Sequence, residues 1–454
     1  MAKILNDDRD PVKLKLGEQL RDMQKKDPKA LAEFLGSLSE DEANEILYDQ
    51  EIWARRDQYV DLSDGFPITM LMAGRGYGKL VCNETPILTL NKGWTTVGKV
   101  EVGDQFFDER GKPTDVLEIF DGMPEKSYRL HFSDNTYIDC CSEHLWNTWQ
   151  HRDRKQYLRT EENKHSFKMP DDWPNWTHTH RSKSGVPHGP SVKTTQEIVD
   201  NFTHSTRGDS NHSIPVCKPL EFPSKKVPLD PYLYGYWVGD GTRGASSYTV
   251  WVEDQPHLIN HIEKCGYTLG NNKCEKSVSV LKPFCYDLQS ATIDKQKVIN
   301  KDYLYNSEEV RLNFLRGLMD SDGYMDPSGS HAEFCSMTKE HAEAVMFLAR
   351  SFGYKPSLSK GEAMLDGVSY GIKYRVMWNP DPDRNPFMLP RKSDRVRFPK
   401  SQGFRNCHRM IKNFEEIKSK PMRCFSVDSP NNLFLVGEAL IPTHNTFVGA
   451  TTIK

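Results

Sequence analysis

The chain has 454 residues, a formal net charge of −3 and a mean hydropathy of −0.68. That balance gives no overall attraction to nucleic acid or to acidic surfaces, and without a long apolar run no transmembrane helix is expected. The charged opening, Met1-Ala2-Lys3-Ile4-Leu5-Asn6-Asp7-Asp8, does not read as a signal peptide, so a cytoplasmic setting is expected. There the ten cysteines would be thiols, and because none falls in a CxxC pair no zinc site is expected.

In chain order, residues 1–50 read as helical. Leu16, Leu20 and Met23 share one helical face, Leu31, Phe34 and Leu35 another, and Ser39-Glu40-Asp41-Glu42 is a capping box. Pro67 to Met72 is an apolar strand that feeds Gly74-Arg75-Gly76-Tyr77-Gly78-Lys79, the front of a phosphate-binding loop. Such a loop needs a Ser or Thr after its Lys to hold the nucleotide's magnesium, while its glycines let backbone N–H groups face phosphate. Leu80 stands there instead. The missing hydroxyl returns at Thr446, directly after His444-Asn445. Removing the 366 residues 80–445 restores Gly-Arg-Gly-Tyr-Gly-Lys-Thr, so Gly76, Gly78, Lys79 and Thr446 could bind nucleotide only after that removal. The chain as written therefore reads as a precursor.

Residues 80–145 are short β-type runs broken by Gly, Asn and Asp. Residues 150–228 are polar, basic and rich in His, Trp and Pro. Helical stretches and strands alternate from about 229 to 400, and strand pattern returns over 421–445 with Phe425, Val427, Leu433, Leu435 and Ile441. A β-rich unit is thus split around an α/β unit.

Val81-Cys82-Asn83-Glu84-Thr85-Pro86-Ile87-Leu88-Thr89 resembles the opening block of an intein, Cys141-Ser142-Glu143-His144 its TxxH block with Cys for Thr, and Gly437 to Asn445 its closing block. Together they set the junctions at Lys79/Leu80 and Asn445/Thr446. The chemistry needs these residue types. A terminal Asn attacks its own carbonyl and forms a succinimide, His444 supplies the proton that the leaving amine takes, and Thr446 offers the hydroxyl that receives the upstream segment. His144 would stand against the upstream scissile amide as acid/base. Leu80, however, cannot be the usual first-residue nucleophile. Trp146, Cys424 and Thr443 together resemble the set that marks class 3 inteins, in which an internal Cys attacks the upstream junction. By that resemblance Cys424 attacks the Lys79 carbonyl, with Trp146 shaping a dry pocket beside it. Splicing requires no cofactor. Asn432 stands where many inteins carry a His that aids Asn cyclisation. Taken singly, each of these residues also reads as ordinary packing; their conjunction, in block order, carries the resemblance.

Leu233-Tyr234-Gly235-Tyr236-Trp237-Val238-Gly239-Asp240-Gly241 and Leu315-Arg316-Gly317-Leu318-Met319-Asp320-Ser321-Asp322-Gly323 resemble paired LAGLIDADG motifs. Small residues four apart (Gly235 and Gly239, Gly317 and Ser321) let two helices approach closely, which would bring Asp240 and Asp322 together as ligands for a divalent metal. The resemblance implies a monomer with two pseudo-symmetric αββαββα halves that cuts double-stranded DNA with Mg2+. Lys339, Lys355 and Lys360 are candidates for assisting lysines. Arg152, Arg154, Lys155, Arg159, Lys164 and Lys168 form one basic cluster, and Arg391, Lys392, Arg395, Arg397 and Lys400 another. Residues 151–228 are open to two readings, a DNA-recognition arm or an elaboration of the splicing domain.

The flanking pieces, 88 residues in all, resemble the start of a phage terminase large subunit. Trp53-Ala54-Arg55-Arg56-Asp57-Gln58 matches the segment whose Gln contacts adenine, although Ala73 replaces the usual first Gly of the loop. No Walker B acid follows, so ATP is expected only with a complete spliced host. The DNA partner would be the intein-free terminase gene, and the setting the cytoplasm of a phage-infected or prophage-bearing bacterium. The expected fold class is mixed: an all-β Hint horseshoe split by an α/β endonuclease, preceded by a small helical segment and the P-loop strand. The expected parts are the N-terminal extein (1–79), the Hint N-part (80–150), the basic insert (151–228), the endonuclease (229–410), the Hint C-part (411–445) and the C-terminal extein (446–454). A rival reading is an insert that no longer splices and keeps only DNA cleavage or DNA binding.

Overall fold

A computed structural model describes residues 79–158, 173–175, 189–205, 208–271, 274–292, 296–397 and 406–444, with nine further residues between 13 and 39. The chain divides into two compact units, Met1–Arg75 and Gly76–Lys454. In the first, Lys13, Lys15, Leu16, Gln19, Leu20 and Phe34 are helical, and Ser37 donates its backbone N–H to the Phe34 carbonyl at 3.1 Å. Met23, Leu31, Leu35, Glu42, the Pro67–Met72 strand, the adenine-contacting segment at 53–58, Gly74 to Gly78, Asn445 and Thr446 lie outside the described residues.

The second unit begins with β1 (Val81–Cys82), β2 (Pro86–Thr89), β3 (Gly93–Thr96), β4 (Gln105–Phe107), β5 (Pro113–Gly122), β6 (Ser127–Phe132), β7 (Tyr137–Cys141) and β8 (Leu145–Gln150). Helix α1 (His151–Tyr157), β9 (Ser191–Thr194), α2 (Thr195–Asp200) and β10 (His212–Pro215) follow. An α/β segment then runs through α3 (Pro231–Asp240), β11 (Ser247–Thr249), α4 (Gln255–Lys264), β12 (Ser277–Ser279), α5 (Phe284–Ala291), α6 (Glu308–Asp322), β13 (Gly323–Met325), β14 (Ala332–Ser336), α7 (Lys339–Ser351), β15 (Ser357–Leu365), β16 (Val368–Trp378) and α8 (Pro390–Ser393). The chain returns to strands in β17 (His408–Ile417), β18 (Met422–Val427), β19 (Leu433–Val436) and β20 (Ile441–His444).

A ten-stranded sheet of order β4-β5-β18-β1-β7-β6-β17-β10-β8-β9 joins the two ends of the insert. The period-2 pattern of its central strands fixes which side chains meet. Leu80, Cys82, Cys141, Met422 and Cys424 pack together on one face. Val81, Cys140, Phe425 and Val427 join the larger core on the other, where Phe106 packs edge-on to Phe425 at 5.0 Å and stacks on Phe434 at 5.3 Å. Within 151–228, β9 and β10 are strands of this same sheet. The α/β segment interrupts the sheet between β10 and β17, and β17 starts at His408.

In the α/β segment, the second half runs α6, β13, β14, α7, β15, β16, α8, with strand order β13-β14-β16-β15. The first half repeats that order in miniature. Gly241 bridges Tyr248, β11 pairs β12, and Leu269 bridges Val280. The two halves meet along α3 and α6, with Tyr234 stacked on Phe314 at 5.3 Å. The small-residue spacing allows this: a Cβ on Gly235 would lie 2.2 Å from the Phe314 carbonyl oxygen, and one on Gly317 2.2 Å from that of Tyr232. Backbone stands on the other side in both cases, so no side chain can give way. Gly317→Ala should therefore cost about 1–3 kcal/mol in denaturant unfolding of the precursor. Gly361→Ala, on β15 with open space around it, serves as the neutral control.

Candidate active sites

The expected upstream junction, Lys79–Leu80, borders β1 of the ten-stranded sheet. Antiparallel pairing sets Val81 opposite Arg423 and Cys82 opposite Met422, which brings Leu80 alongside Cys424. On the other flank Val81 faces Cys140, which brings Leu80 alongside Cys141. Opposed residues in such pairs have Cα atoms about 4.5–5.5 Å apart. Leu80 is 5 % exposed and shares its apolar cluster with Cys424. Gly122 makes room for it, since a Cβ there would stand 2.8 Å from the Leu80 side chain.

The Lys79–Leu80 amide, the expected upstream junction, is held on its Leu80 side. Leu80 N–H donates to Cys141 Sγ at 3.1 Å, and Cys141 N–H donates to the Leu80 carbonyl at 3.0 Å. Burial, together with the nearness of Cys424, pushes the Cys141 thiol up to about 11, so it stays protonated near neutrality. Burial also lowers the Lys79 ammonium from its ordinary value, opposed by its attraction to Cys424. The Lys79 ammonium and the Cys424 sulfur are thus near enough to interact.

His144 is fully buried and its Nε2 is bonded to Thr443 Oγ1. Burial, reinforced by the charge of nearby His444, holds its pKa down to about 3, while a backbone interaction with Lys79 pulls the other way. It is therefore a neutral imidazole across pH 5–8. Its stabilising contribution is complete above the unfolded value of about 6.5 and is lost as pH falls toward 3. Trp146 sits edge-on to His144 at 4.8 Å and donates its indole N–H to Thr195 Oγ1 at 3.0 Å. That puts it in the large core with Phe132, on the opposite face from the sulfur cluster. The contacts found for Trp146 are with the His144 imidazole and Thr195. Cys141 and Thr195 are the polar contacts that motif reading missed; the Cys-for-Thr change in the TxxH block was the available signal for the first. Asn432 has φ 55°, closing the turn from Ser429 into β19, a left-handed position that Asn tolerates well.

The second site is at the C-terminal ends of α3 and α6. A Cβ on Gly239 would lie 3.1 Å from Asp322 Oδ2, so the two helix ends touch. Burial and then the charge of Asp322 raise Asp240 to about 6, and burial raises Asp322 too. Two desolvated carboxylates that oppose each other's ionisation suit a divalent cation. Asp320 serves the fold instead. Its Oδ2 accepts from Tyr232 Oη at 3.0 Å and from the backbone N–H groups of Met388 and Leu389 at 3.0 and 2.9 Å. It ties α6 to the following segment, and Val238 stands at its counterpart in the first motif.

Two lysines flank the pair. Lys297 Nζ bonds the Gly239 carbonyl, and Lys392 Nζ donates to the carbonyls of Met319, Asp320 and Gly323 at 2.9, 2.7 and 2.7 Å. Burial lowers both ammonium groups, Lys392 to about 8. The expected lysines are elsewhere: Lys339 pairs with Glu343, Lys355 bonds the His408 carbonyl, and Lys360 lies over Tyr374. The basic clusters are also partly structural. Arg154 binds the carbonyls of Trp149 and Asn211, Arg391 forks onto Asp254, and Lys392 points inward. Arg159, Lys164, Lys168 and Lys400 lie outside the described residues.

A raised Asp240 pKa opposes folding in the charged state. Between the unfolded value near 3.9 and about 6 the folded chain binds more protons, so stability falls as pH rises through that window and stays lower above it. Asp240→Asn should raise the metal-free chain's stability at pH 7 by about 1–3 kcal/mol, with little change at pH 4, as read by urea unfolding at the two pH values.

A model of the LAGLIDADG-like domain matches residues 309–373. The replicative DNA helicase DnaB of Mycobacterium intracellulare is 28% identical over 392 residues, 85% of this chain and 62% of the relative. The chain thus spans about three fifths of that relative's length. Because the aligned stretch far exceeds the 88 flanking residues, most of this likeness lies within residues 80–445. DnaB of Mycobacterium leprae (strain TN) is 37% identical over 83 residues, 17% of this chain and 13% of that one. Among solved structures, the MchDnaB-1 intein covers 80% of this chain and 99% of its own at 13% identity and a TM-score of 0.24. I-DmoI in complex with DNA and Ca covers 37% and 95% at 15% identity and a TM-score of 0.26. Among the described residues no helix is long and apolar enough to cross a membrane. Residues 309–373 are a LAGLIDADG-like domain, and they lie within an α/β segment set inside a continuous β-sheet unit.

Proposed function

We propose that residues 80–445 excise themselves and join Lys79 to Thr446, and that the α/β segment cuts double-stranded DNA. The observation that carries the first part is the register that sets Leu80 alongside Cys424. The Cys424 sulfur adds to the Lys79 carbonyl as its S–H bond breaks, and the Lys79–Leu80 bond breaks as the Leu80 nitrogen takes the proton that the thiol gave up. Cys141, hydrogen-bonded to that nitrogen, and neutral His144 orient the departing amide. Thr446 Oγ then takes the acyl group and Cys424 recovers its proton. Asn445 closes on its own carbonyl with His444 as proton donor, and an oxygen-to-nitrogen shift leaves a peptide bond. Thr443 holds His144 for the upstream step, and no cofactor is needed.

For DNA cleavage, Asp240 and Asp322 would hold Mg2+, whose charge offsets theirs and polarises the scissile phosphate. Lys297 and Lys392 stabilise charge beside them. The chain would act as a monomer, its two halves related by the pseudo-twofold axis between α3 and α6. The exposed hairpin of β15 and β16 carries Lys373 and Arg375 on one face and Lys360 on the other, and the first of these faces offers positive charge to a groove. The target would be the host gene lacking the insert. The restored loop Gly76, Gly78, Lys79 and Thr446 supports a nucleotide hydrolase as host, and the 53–58 segment supports a terminase; the helicase likeness concerns mainly the insert. A bacterial cytoplasm infected by phage or carrying a prophage suits that reading.

Intact mass of the purified chain during incubation tests the first part: a 366-residue species and an 88-residue ligated product should appear. A chain that stays whole yet cuts DNA would leave only the rival reading, an endonuclease in an insert that no longer splices.

A further inference from the structure

At the start of α3, roughly 15 Å along the helix from Asp240, three side chains of metal-ligating type converge. Asp230 caps α3, its Oδ1 accepting from Leu233 N–H at 3.0 Å. His261 Nε2 lies 3.1 Å from the same oxygen. Cys265, one turn beyond His261 at the end of α4, interacts with the same carboxylate. One ligand atom from each residue lies within 4.8 Å of the others. A second observation points the same way. One turn before His261, the His257 Nε2 is buried with no hydrogen-bond partner among the described residues. The His257 and His261 rings both pack on Tyr232, at 6.2 and 4.6 Å.

We propose that Asp230, His261 and Cys265 form a zinc site that locks α4 against the start of α3, with His257 as the available fourth group. One thiol, imidazole nitrogen and one carboxylate make a mixed set that suits Zn2+, whereas Mg2+ prefers an octahedron of oxygens. The site is therefore chemically distinct from the Asp240/Asp322 pair. Tetrahedral zinc sets its ligands about 3.3–3.8 Å apart, so the three groups need close by only about 1 Å. Without metal, burial and the Asp230 carboxylate hold the Cys265 thiol up at about 12. Metal binding reverses that: the S–H bond breaks, a metal–sulfur bond forms, and one proton goes to solvent with no redox change. The locked half is the one whose strands are only three residues long, so a cross-link there supplies order that its sheet lacks. The absence of a CxxC pair hid this set, because its members come from two elements and only His257, His261 and Cys265 share a helical spacing.

The inference is independent of splicing and is tested on the full-length Cys424→Ala chain, which also removes the junction sulfur as a competing ligand. After incubation with ZnCl2 and gel filtration, elemental analysis should find one zinc per chain. Co2+ loading should give a thiolate-to-metal charge-transfer band. Cys265→Ser and His261→Ala should each lower zinc retention at least tenfold and abolish or weaken that band, while Cys274→Ser and Cys335→Ser leave both unchanged. No retained zinc in the parent chain, or equal retention in the Cys265→Ser and His261→Ala chains, would overturn the proposal. The parent measurement stands even if either variant folds poorly.

Discussion

Replacing Cys424 with alanine should leave the 454-residue chain uncut, with excision slowed on the order of 10³-fold or more. The size of the effect follows from the junction. Leu80 offers no nucleophile, and the neighbouring thiols are disfavoured: burial raises Cys82, and burial with the Cys424 neighbour raises Cys141 to about 11. Removing Cys424 thus removes the sulfur that the strand register sets alongside Leu80. Cys141→Ser is the informative contrast. It keeps a hydrogen-bonding group beside the Leu80 nitrogen, so excision should slow by roughly tenfold or less. Trp146→Phe keeps the ring against His144 but loses the bond to Thr195, and should act on rate through imidazole placement rather than through the sulfur. Gel densitometry over a time course separates the three variants.

The second large effect concerns DNA. Asp240→Asn and Asp322→Asn should each reduce double-strand cleavage by roughly 10²-fold or more while leaving excision unchanged. The two carboxylates sit at touching helix ends, and each loses solvation there, so neither has a substitute nearby. Asp320→Asn should behave differently. Its oxygen serves three donors that fasten α6 to residues 388–389, so its loss should appear first as lowered stability. Lys297→Met and Lys392→Met should lower cleavage, whereas Lys339→Met should not, because Lys339 pairs with Glu343 away from the helix ends. Cleavage of a plasmid carrying the uninterrupted host gene, scored beside unfolding curves, distinguishes loss of chemistry from loss of fold.

Much of this is legible in the residues because its physics is local. Small residues four apart dictate the α3–α6 contact, and period-2 alternation dictates which face of β18 carries Cys424. What stays hidden depends on long-range placement. Strands β9 and β10 join the ten-stranded sheet from within a stretch whose composition suggests a polar arm. Lys297 and Lys392 are drawn to the carboxylates by segments that lie 57 and 70 residues after Asp240 and Asp322, with no motif to flag them. Arg154 looks like a DNA contact in a basic run, yet it satisfies buried carbonyls. Trp146 stands out in the sequence as part of a set, but its partner, the imidazole, is decided by the sheet face on which it stands.

The most direct test traps the branch. In an Asn445→Ala, Thr446→Val chain the acyl group cannot move on, and peptide mass mapping should find residues 1–79 linked through the Lys79 carbonyl to Cys424, released by hydroxylamine. Residues 1–79 attached to any other side chain, or a Cys424→Ala chain that excises at the parent rate, would contradict the account.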